Sequence, residues 1–396
     1  MPSLVLRGPI FNGEDLIQNG CVLIDQVKGV IVDVGERGGV NEPADARALD
    51  FRGSTILPGL IDAHMHFFGS MKYGLTEWVT TPETLVALRS VADMRRLLNA
   101  GFTAVRDLGS KAGTYLKRAV DEGMIDGPRV ISGKSLAQTG GDDDLTILPL
   151  EMAVQLSYSY YCDGPWECRK AVRKVVRDGG EVVKVYASGS FAQGSKVRRQ
   201  FTVEELEAIV EEAHSAQLKV AAHAYGEEAL TNTIDAGVDS IEHGIGLTPE
   251  VAKRIHEKGI FYVPTLSAYL AMKPTTNEER NRLTRKHLTE DMEIAKKFDL
   301  KIVAGTDYVG CDTEPHGENY REIVNLAKHI GNQEALVAAT SRAADCLGLQ
   351  RSGWIKQGYD ADLVIAKGNP IDDPENLSPS HILHVIRKGQ LHTING

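Results

Sequence analysis

The stretch Ile56-Leu57-Pro58-Gly59-Leu60-Ile61-Asp62-Ala63-His64-Met65-His66 separates two kinds of sequence. Before it, short runs of strand-forming residues are broken by Gly, Asn and Asp, and no helical periodicity is visible. After it, strand-like and helix-like segments alternate as far as Leu349. Alternation of this kind is typical of an α/β protein with a parallel sheet.

Eight strand-like runs follow one another in the central part of the chain. They begin with the run at Ile56 and continue at residues 104–107, 129–132, 182–187, 219–224, 240–243, 261–266 and 301–306. Helix-like segments begin near Pro82, Gly113, Trp166, Val203, Glu227, Pro249, Asn281 and Asn319. Eight alternations predict a (β/α)8 TIM barrel over residues 56–349. An open doubly wound sheet is disfavoured, because no Gly-rich dinucleotide fingerprint follows an early strand.

Both ends of the chain have β-type sequence. Strands are expected at residues 4–7, 20–25 and 29–34, and again at 361–366 and 384–388. We expect the tail to pair with the N-terminal strands. Residues 1–55 and 350–396 are therefore predicted to form a small discontinuous β-sandwich domain.

The bulk properties exclude several classes of protein. The net charge of −10 argues against a nucleic-acid partner, which needs a basic surface. No apolar run is long enough to span a bilayer, and the first residues do not resemble a signal peptide. The five cysteines form no C-x-x-C pair, which fits reduced thiols and a cytoplasmic location.

Side chains with metal-ligand chemistry occur at the ends of five predicted strands. They are His64, His66, Lys184, His223, His243 and Asp307. Strand ends gather at one mouth of a parallel barrel, so these residues are predicted to surround a shared metal pair. His64 and His66 are two apart and face the same side of a strand. Imidazole ligands suit zinc, with manganese, cobalt or iron as alternatives.

Lys184 has an unusual setting, since it lies inside the apolar run Val182-Val183-Lys184-Val185-Tyr186. Burial depresses the pKa of an amine, and a neutral amine can react with carbon dioxide. The resulting carbamate, N6-carboxylysine, is a carboxylate that can bridge two metals. The alternative is a lysine that extends to solvent from a strand end.

The other candidate ligands also have structural alternatives. His223 and His243 each end an apolar strand, where a single histidine is more often part of the core. Asp307 follows Val303-Ala304-Gly305-Thr306 and could cap the next segment. Beside a metal, the same carboxylate can ligate it and accept a proton from water. The repeated placement at strand ends favours the catalytic interpretation.

These motifs resemble the amidohydrolase superfamily of metal-dependent hydrolases. The resemblance is carried by residues 58–66, by Val105-Arg106-Asp107-Leu108-Gly109, by Gly305-Thr306-Asp307 and by the closing Gly358-Tyr359-Asp360-Ala361-Asp362-Leu363. It implies that His64, His66 and Asp307 hold the more buried of two divalent metals. It assigns the more exposed metal to His223 and His243, with carbamylated Lys184 as the bridge.

Within the superfamily, the chain is most similar to the imidazolonepropionase-like branch that includes prolidases and other dipeptidases. Lys184-Val185-Tyr186-Ala187-Ser188-Gly189, His223-Ala224-Tyr225-Gly226, residues 199–202 and His316-Gly317 carry this similarity. Imidazolonepropionases and deaminases usually bind one metal and lack the bridging lysine, so Lys184 counts against them.

One position departs from that branch. A histidine commonly follows the Gly pair after the third strand, whereas this chain has Thr139-Gly140-Gly141-Asp142-Asp143-Asp144. The acidic triplet would favour a basic or uncharged substrate if it faced the site. A solvated loop is the preferred interpretation.

Further residues are candidates for binding substrate. Tyr225 follows His223 by two residues and is predicted to bind a carboxylate or carbonyl, with Arg198 or Arg199 as a cationic alternative. Packing is an equal alternative for Tyr225. His316 follows the last strand of the predicted barrel. It is expected to lie either at the mouth of the barrel or on the protein surface.

Three functions remain open. The first is a dipeptidase, prolidase-like or of a related carboxypeptidase type, that cleaves an amide with a metal-bridging hydroxide and Asp307 as proton shuttle. The second is a hydrolase of another acyl bond, such as an N-acyl amino acid, carbamate, ester or lactone, including xenobiotics. The third is a catalytically silent assembly protein, which an intact ligand set disfavours. The resemblance also implies a homo-oligomer.

Overall fold

The computed structural model describes residues 3–191 and 197–392. The strands, numbered in chain order, are β1 (Ser3–Phe11), β2 (Leu16–Asp25), β3 (Val30–Glu36), β4 (Arg47–Asp50), β5 (Ser54–Pro58), β6 (Leu60–Met65), β7 (Phe102–Leu108), β8 (Arg129–Gly133), β9 (Ser135–Ala137), β10 (Ser159–Tyr161), β11 (Val182–Tyr186), β12 (Lys219–Tyr225), β13 (Ser240–Ile245), β14 (Phe261–Val263), β15 (Lys301–Ile302), β16 (Leu363–Lys367), β17 (Ile382–Arg387) and β18 (Gln390–His392).

Helices occupy most of the connections between the central strands. They are α1 (Leu75–Thr80), α2 (Glu83–Asn99), α3 (Gly113–Asp121), α4 (Leu150–Leu156), α5 (Gly164–Arg177), α6 (Val203–Ser215), α7 (Glu227–Ala236), α8 (Pro249–Lys258), α9 (Leu266–Ala271), α10 (Glu278–Lys286), α11 (Met292–Lys297), α12 (Tyr320–Ile330), α13 (Asn332–Ala338) and α14 (Ser341–Leu347). Within the two described ranges, no helix is both long and apolar enough to cross a membrane.

The two ends of the chain form one sheet. Its strand order is β18-β17-β16-β5-β1-β2-β3, with β4 beside β1. The C-terminal strand β16 pairs antiparallel with β5, with Leu57 opposite Val364, and β5 lies beside β1 in the same sheet. Apolar side chains such as Leu6, Ile24 and Leu363 form a core on this sheet.

The central strands form parallel sheets, which confirms the α/β class. One sheet has the order β6-β7-β8, and the other has the order β10-β9-β11-β12-β13-β14-β15. Backbone hydrogen bonds cross between them at two places: Ala63 N donates to Ala304 O at 2.9 Å, and Glu181 N donates to Ser132 O at 2.8 Å. The carboxyl ends of β6, β11, β12 and β13 carry the histidines and the lysine singled out in the sequence.

The run predicted as one strand at Ile56 is divided at Gly59. Residues before Gly59 join the terminal sheet as β5, and β6 of the parallel sheets begins at Leu60. A Cβ atom at Gly59 would lie 1.9 Å from Oγ1 of Thr103, so the chain can pass β7 this closely only with glycine. The first strand of the parallel sheets therefore starts later than expected.

Two other strands are shorter than expected. The run 261–266 is a strand only to Val263, because Thr265 has a left-handed φ of 53° and α9 begins at Leu266. The run 301–306 is assigned as a strand only at β15, although Val303 N still donates to Tyr262 O at 2.9 Å. The short strands β4, β9, β10 and β18 were not anticipated, since runs of three or four residues carry little periodicity.

Candidate active site

The structure brings all six predicted ligands to one cavity of about 260 Å³. His64 and His66 come from the end of β6, and the others come from the ends of β11, β12 and β13 and from the segment after β15. The lysine and the four histidines are nearly inaccessible to solvent, with exposed fractions of 1% to 5%. These strands are buried on both faces, so polar side chains at their ends are held in place by packing.

His64, His66 and Asp307 form the tightest cluster. Oδ1 of Asp307 lies 3.2 Å from Nε2 of His64 and 3.0 Å from Nε2 of His66. One ligand atom from each residue lies within 4.8 Å of the others, a spacing that can hold a single metal ion. Burial would raise the pKa of Asp307, but the adjacent His64 and His66 hold it well below its usual range. The carboxylate is therefore ionised.

Lys184 adjoins this cluster. Its Nζ lies 3.4 Å from Nε2 of His64, and the side chain is 1% exposed. Burial lowers the pKa of the amine to about 8, although Glu242 and Asp307 oppose the shift. A fraction of the amine is thus neutral and nucleophilic near neutral pH.

His223 and His243 lie on the other side of Lys184. Their ring centroids are 4.7 Å apart, and His243 lies 4.9 Å from the ring of His64. Burial and the positive charge of Lys184 lower the pKa of His223 to about 3, so its ring is neutral. Nδ1 of His243 lies 2.8 Å from Oγ1 of Thr265, which orients the ring.

The donor set fits a bound metal. Nδ1 of His64 donates to Glu242 at 2.8 Å, so Nε2 is the nitrogen that faces the carboxylate of Asp307, at 3.2 Å. Among the described residues, Nδ1 of His66 and Nε2 of His223 are buried without a hydrogen-bond partner. Neutral imidazoles and carboxylates with unfilled positions are the ligands that zinc and related metals use.

A buried ion pair that the sequence analysis did not assign to the site supports His64. Glu242 accepts from Arg106 Nη2 at 2.8 Å through one oxygen and binds His64 through the other. Arg106 also donates to Ala63 O at 2.5 Å and to Ser240 Oγ at 3.1 Å. Burial would raise the pKa of Glu242, but Arg106 and His64 lower it to about 2. In the sequence, this pair could have been recognised because Arg106 and Glu242 are charged residues within the otherwise apolar runs of β7 and β13.

A second anchor positions Asp307. Asp62 accepts from the backbone N of His64 at 3.0 Å and from Thr306 Oγ1 at 2.7 Å. Its second oxygen also accepts from Asn319 Nδ2 at 2.7 Å. The carboxylate of Asp62 thus ties the end of β6 to the segment that carries Asp307.

The backbone is strained at the same place. His243, Thr265 and Asp307 have φ values of 65°, 53° and 60°, which residues other than glycine rarely adopt. They are three of the six such residues in the described ranges. Strain of this kind persists where the surrounding structure fixes a functional geometry.

The predicted substrate contacts lie in different places. Tyr225 lines the cavity, and its hydroxyl is hydrogen-bonded to that of Tyr269. Arg198 and Arg199 are exposed and do not line the cavity, and Arg199 Nε donates to Glu228 at 2.8 Å. His316 is buried, so the surface alternative is wrong, and it is not among the described residues that line the cavity; its Nε2 lies 3.0 Å from the carbonyl oxygen of His66.

The acidic triplet is not a solvated loop. Asp142, Asp143 and Asp144 have exposed fractions of only 4%, 4% and 5%, and the first two line the cavity. Each accepts a local hydrogen bond: Ser190 donates to Asp142, Ser159 donates to Asp143, and the backbone N of Gly140 donates to Asp144 at 2.7 Å. Sequence pattern could not show this, because loop residues carry no periodicity that reports burial.

Comparisons with known proteins agree with this architecture. The amidohydrolase family model matches residues 55–392. Ochratoxinase of Aspergillus niger is 32% identical over 365 residues, which cover 85% of this chain and 75% of that protein. Its crystal structure has a TM-score of 0.90 at 29% identity, over 99% of this chain and 96% of that one.

Prolidases are also among the similar structures. A prolidase complexed with N-methylphosphonate-L-proline has a TM-score of 0.89 and 32% identity, over 99% of each chain. A Xaa-Pro dipeptidase with bound methionine in its active site has a TM-score of 0.85 and 29% identity, over 99% of this chain and 100% of that one. The chain belongs to the amidohydrolase family and is a hydrolase that acts on carbon–nitrogen bonds.

Proposed function

We propose that this amide hydrolase is a binuclear metal enzyme that cleaves a small substrate, with Xaa-Pro and related dipeptides as the preferred class. The observation that carries the proposal is the position of Lys184 Nζ, 3.4 Å from His64 and beside His223. A buried lysine among five other candidate ligands has no evident structural purpose.

The proposed metal assignment follows the two halves of the cluster. His64, His66 and Asp307 would hold the more buried ion, His223 and His243 the more exposed one, and Lys184 as N6-carboxylysine would bridge them. The ligands suit zinc, with manganese, cobalt or iron as alternatives. When bound, the metals would polarise the substrate carbonyl and lower the pKa of water.

Asp307 is the proposed proton shuttle. Its side chain is 25% exposed and lines the cavity, and the adjacent histidines hold its pKa below the usual range and keep it ionised, so its oxygens have lone pairs that can accept a proton from the attacking water. Passing that proton to the leaving nitrogen makes the amine a better leaving group. The same carboxylate then serves as base and acid.

The cavity suits a compact substrate with an apolar part. Its walls include Phe68, Trp78, Tyr186 and Tyr269, and its volume is about 260 Å³. Among the described residues, Lys184 is the only lysine or arginine that lines it. We therefore favour Tyr225 over Arg198 and Arg199 as the contact for a substrate carboxylate or carbonyl.

Two structural proposals accompany this function. The hydrogen bonds from Ala63 to Ala304 and from Glu181 to Ser132 support closure of the two parallel sheets into a (β/α)8 barrel. The exposed apolar side chains of Ile147, Leu150 and Met152 support assembly into a homo-oligomer.

The similarity to ochratoxinase favours a second candidate, an N-acyl amino acid of xenobiotic origin. The same catalytic groups would serve either substrate. The two candidates would differ in the acyl group of the substrate. In a dipeptide this group is an amino acid residue, whereas in the second candidate it is an acid of xenobiotic origin.

The test combines metal analysis with hydrolysis assays. The purified protein is expected to contain two divalent ions per chain and to release amino acids from Xaa-Pro or related dipeptides. Release only from N-acyl amino acids would select the second candidate. Activity confined to esters or carbamates, or full turnover after chelation, would contradict the proposal. Asp307→Asn serves as the control for background hydrolysis.

A further inference from the structure

Asp142 has one carboxylate oxygen in the cavity region without a partner in the described part of the chain. Asp142 is 4% exposed and lines the cavity, and its Oδ2 accepts a hydrogen bond from Ser190. Its Oδ1 is buried and has no hydrogen-bond partner among the described residues. An ionised carboxylate only accepts hydrogen bonds, and leaving one of its oxygens buried and unpaired is costly. A ligand that brings a cationic donor would remove that cost.

The surroundings hold Asp142 in place without satisfying it. With the side-chain amide of Gln200 oriented to satisfy its contacts, Oε1 of Gln200 accepts from the backbone N of Asp142 at 2.7 Å. The neighbouring Asp143 is different, because its carboxylate accepts hydrogen bonds from Ser159 and Tyr158. Burial, together with the charge of Asp142, raises the pKa of Asp143 to about 7. Asp142 is thus the member of the pair that is held in place and still has one oxygen, Oδ1, without a partner in the described ranges.

The cavity offers no cation to Asp142 from the described part of the chain. Lys184 is the only lysine or arginine in its lining, and it adjoins His64. The carboxyl group of Glu314 also lines the cavity with a buried oxygen, Oε2, that has no partner among the described residues, but burial raises its pKa to about 8, so Asp142 is the stronger candidate for a cation. Tyr158 and Tyr186 provide aromatic faces nearby, which favour a cation over an anion.

We propose that Asp142 Oδ1 binds a cationic nitrogen of the substrate, either the free α-ammonium group on the acyl side of the amide or a basic side chain on the leaving residue. This inference rests on the proposed function, since it concerns a substrate of the same site. It makes Asp142 a specificity-determining residue.

Binding of ketones that cannot be hydrolysed tests the inference independently of turnover. Three ketomethylene analogues, in which CH2 replaces the amide nitrogen, serve as probes: those of Ala-Leu, of propionyl-leucine and of propionyl-lysine. They carry an α-ammonium group, no cation and a side-chain ammonium group, respectively. Their dissociation constants for the metal-loaded protein are measured by calorimetry.

At least one cationic analogue is expected to bind about 10-fold or more tightly than the propionyl-leucine analogue, which corresponds to about 1.4 kcal/mol. The analogue that shows the preference identifies the source of the cation. Asp142→Asn is expected to reduce the preference to less than about 2-fold while binding of the neutral analogue is retained. Asp142→His removes the same charge and is the second variant if the asparagine protein does not fold.

Asp143→Asn is the matched control, because it makes the same change one residue away on a carboxylate that is already paired. It is expected to keep the preference. Equal binding of all three ketones by the wild-type protein, or a preference that survives in Asp142→Asn, would overturn the inference. Loss of the preference in both variants would overturn its assignment to Asp142. Cation preference without hydrolysis of any amide would retain the inference and reject the proposed function.

Discussion

Oε2 of Glu242 lies 2.8 Å from Nδ1 of His64, on the side of the ring that faces away from Asp307. The hydrogen bond fixes the proton on Nδ1 and leaves Nε2 available as a ligand. Partners of this kind orient metal-binding histidines and raise their basicity. The link between Glu242 and His64 therefore connects a buried ion pair of the core to the chemistry of the cavity.

Glu242→Gln is expected to weaken metal binding by about 10- to 100-fold, because the amide is a poorer acceptor for Nδ1 of His64. It also leaves Arg106 without its carboxylate, so the apparent melting temperature should fall. Metal content after dialysis against graded chelator concentrations measures the first effect. Ser240→Ala, which removes the hydroxyl bonded to Glu242 but keeps its carboxylate, is the control and should retain metal. Equal metal retention by wild type and Glu242→Gln would contradict the assigned role.

Lys184→Met tests the proposed bridge. The variant keeps the apolar stem of the side chain but cannot form a carbamate, so it should retain at most one metal and lose about 100-fold or more in activity. In Lys184→Ala, where truncation at Cβ leaves space for its ethyl group, added propionate is expected to restore part of the activity by supplying a free carboxylate. Lys134→Met changes a lysine outside the cavity lining and should leave metal content unchanged. Full metal occupancy in Lys184→Met would refute the bridge.

Asp307→Asn separates ligation from proton transfer. The amide oxygen still faces His64 and His66, but it cannot accept a proton from water at neutral pH. A fall in kcat of about 10²- to 10⁴-fold with a smaller change in KM is expected. Metal analysis on the same sample shows whether the ligand role was preserved. A variant with both metals and unchanged kcat would exclude Asp307 as the shuttle.

The alternation of strands and helices predicted the α/β class and the gathering of the six candidate ligands, because strand ends of a parallel sheet converge whatever the loops do. The position of Gly59 was not predicted as a boundary. Its role depends on the close approach to Thr103, a residue more than forty positions away in the sequence. A local pattern cannot report such a contact.

The residues that support the candidate metal ligands also depend on contacts between distant parts of the chain, which the sequence pattern did not predict. Glu242 and Arg106 are conspicuous as charges within apolar strands, yet their pairing depends on β7 and β13, strands of two different sheets, bringing these side chains together. Asp142 was expected in solvent because acidic triplets usually are exposed. Its burial depends on Ser190 and Gln200, which come from another loop.

Gly305→Ala is expected to disturb the ligand cluster. A Cβ atom there would lie 2.8 Å from Cβ of His64 and 2.6 Å from Cγ1 of Val263, so one of the flanking strands must move. Overpacking of this kind costs about 1 to 3 kcal/mol, and metal affinity should fall with it. Gly35→Ala is the control, since the nearest atom to its added Cβ is 3.9 Å away. Similar melting temperatures and metal content in the two variants would show that β6 tolerates the displacement.

Asp93 predicts a pH dependence of stability outside the site. It lies in α2 with an exposed fraction of 2%, and its carboxylate pairs with Arg96 Nη1 at 2.9 Å. Burial raises the pKa of Asp93 to about 6, against the opposing effect of Arg96. The folded state therefore binds more protons than the unfolded state between pH 3.8 and about 6, and this contribution to stability is lost as the pH rises through that window.

Asp93→Asn removes the ionisation and should raise the stability at pH 8. The pKa of about 6 already includes the opposing charge of Arg96, so the shift of about two pKa units corresponds to about 3 kcal/mol. The apparent melting temperature of the variant should exceed that of the wild type at pH 8 and approach it at pH 4.5. Asp121→Asn, which changes an exposed carboxylate beside Lys117, should differ little from wild type at either pH. A lower melting temperature for Asp93→Asn at pH 8 would mean that the ion pair with Arg96 outweighs the cost of burying the charge.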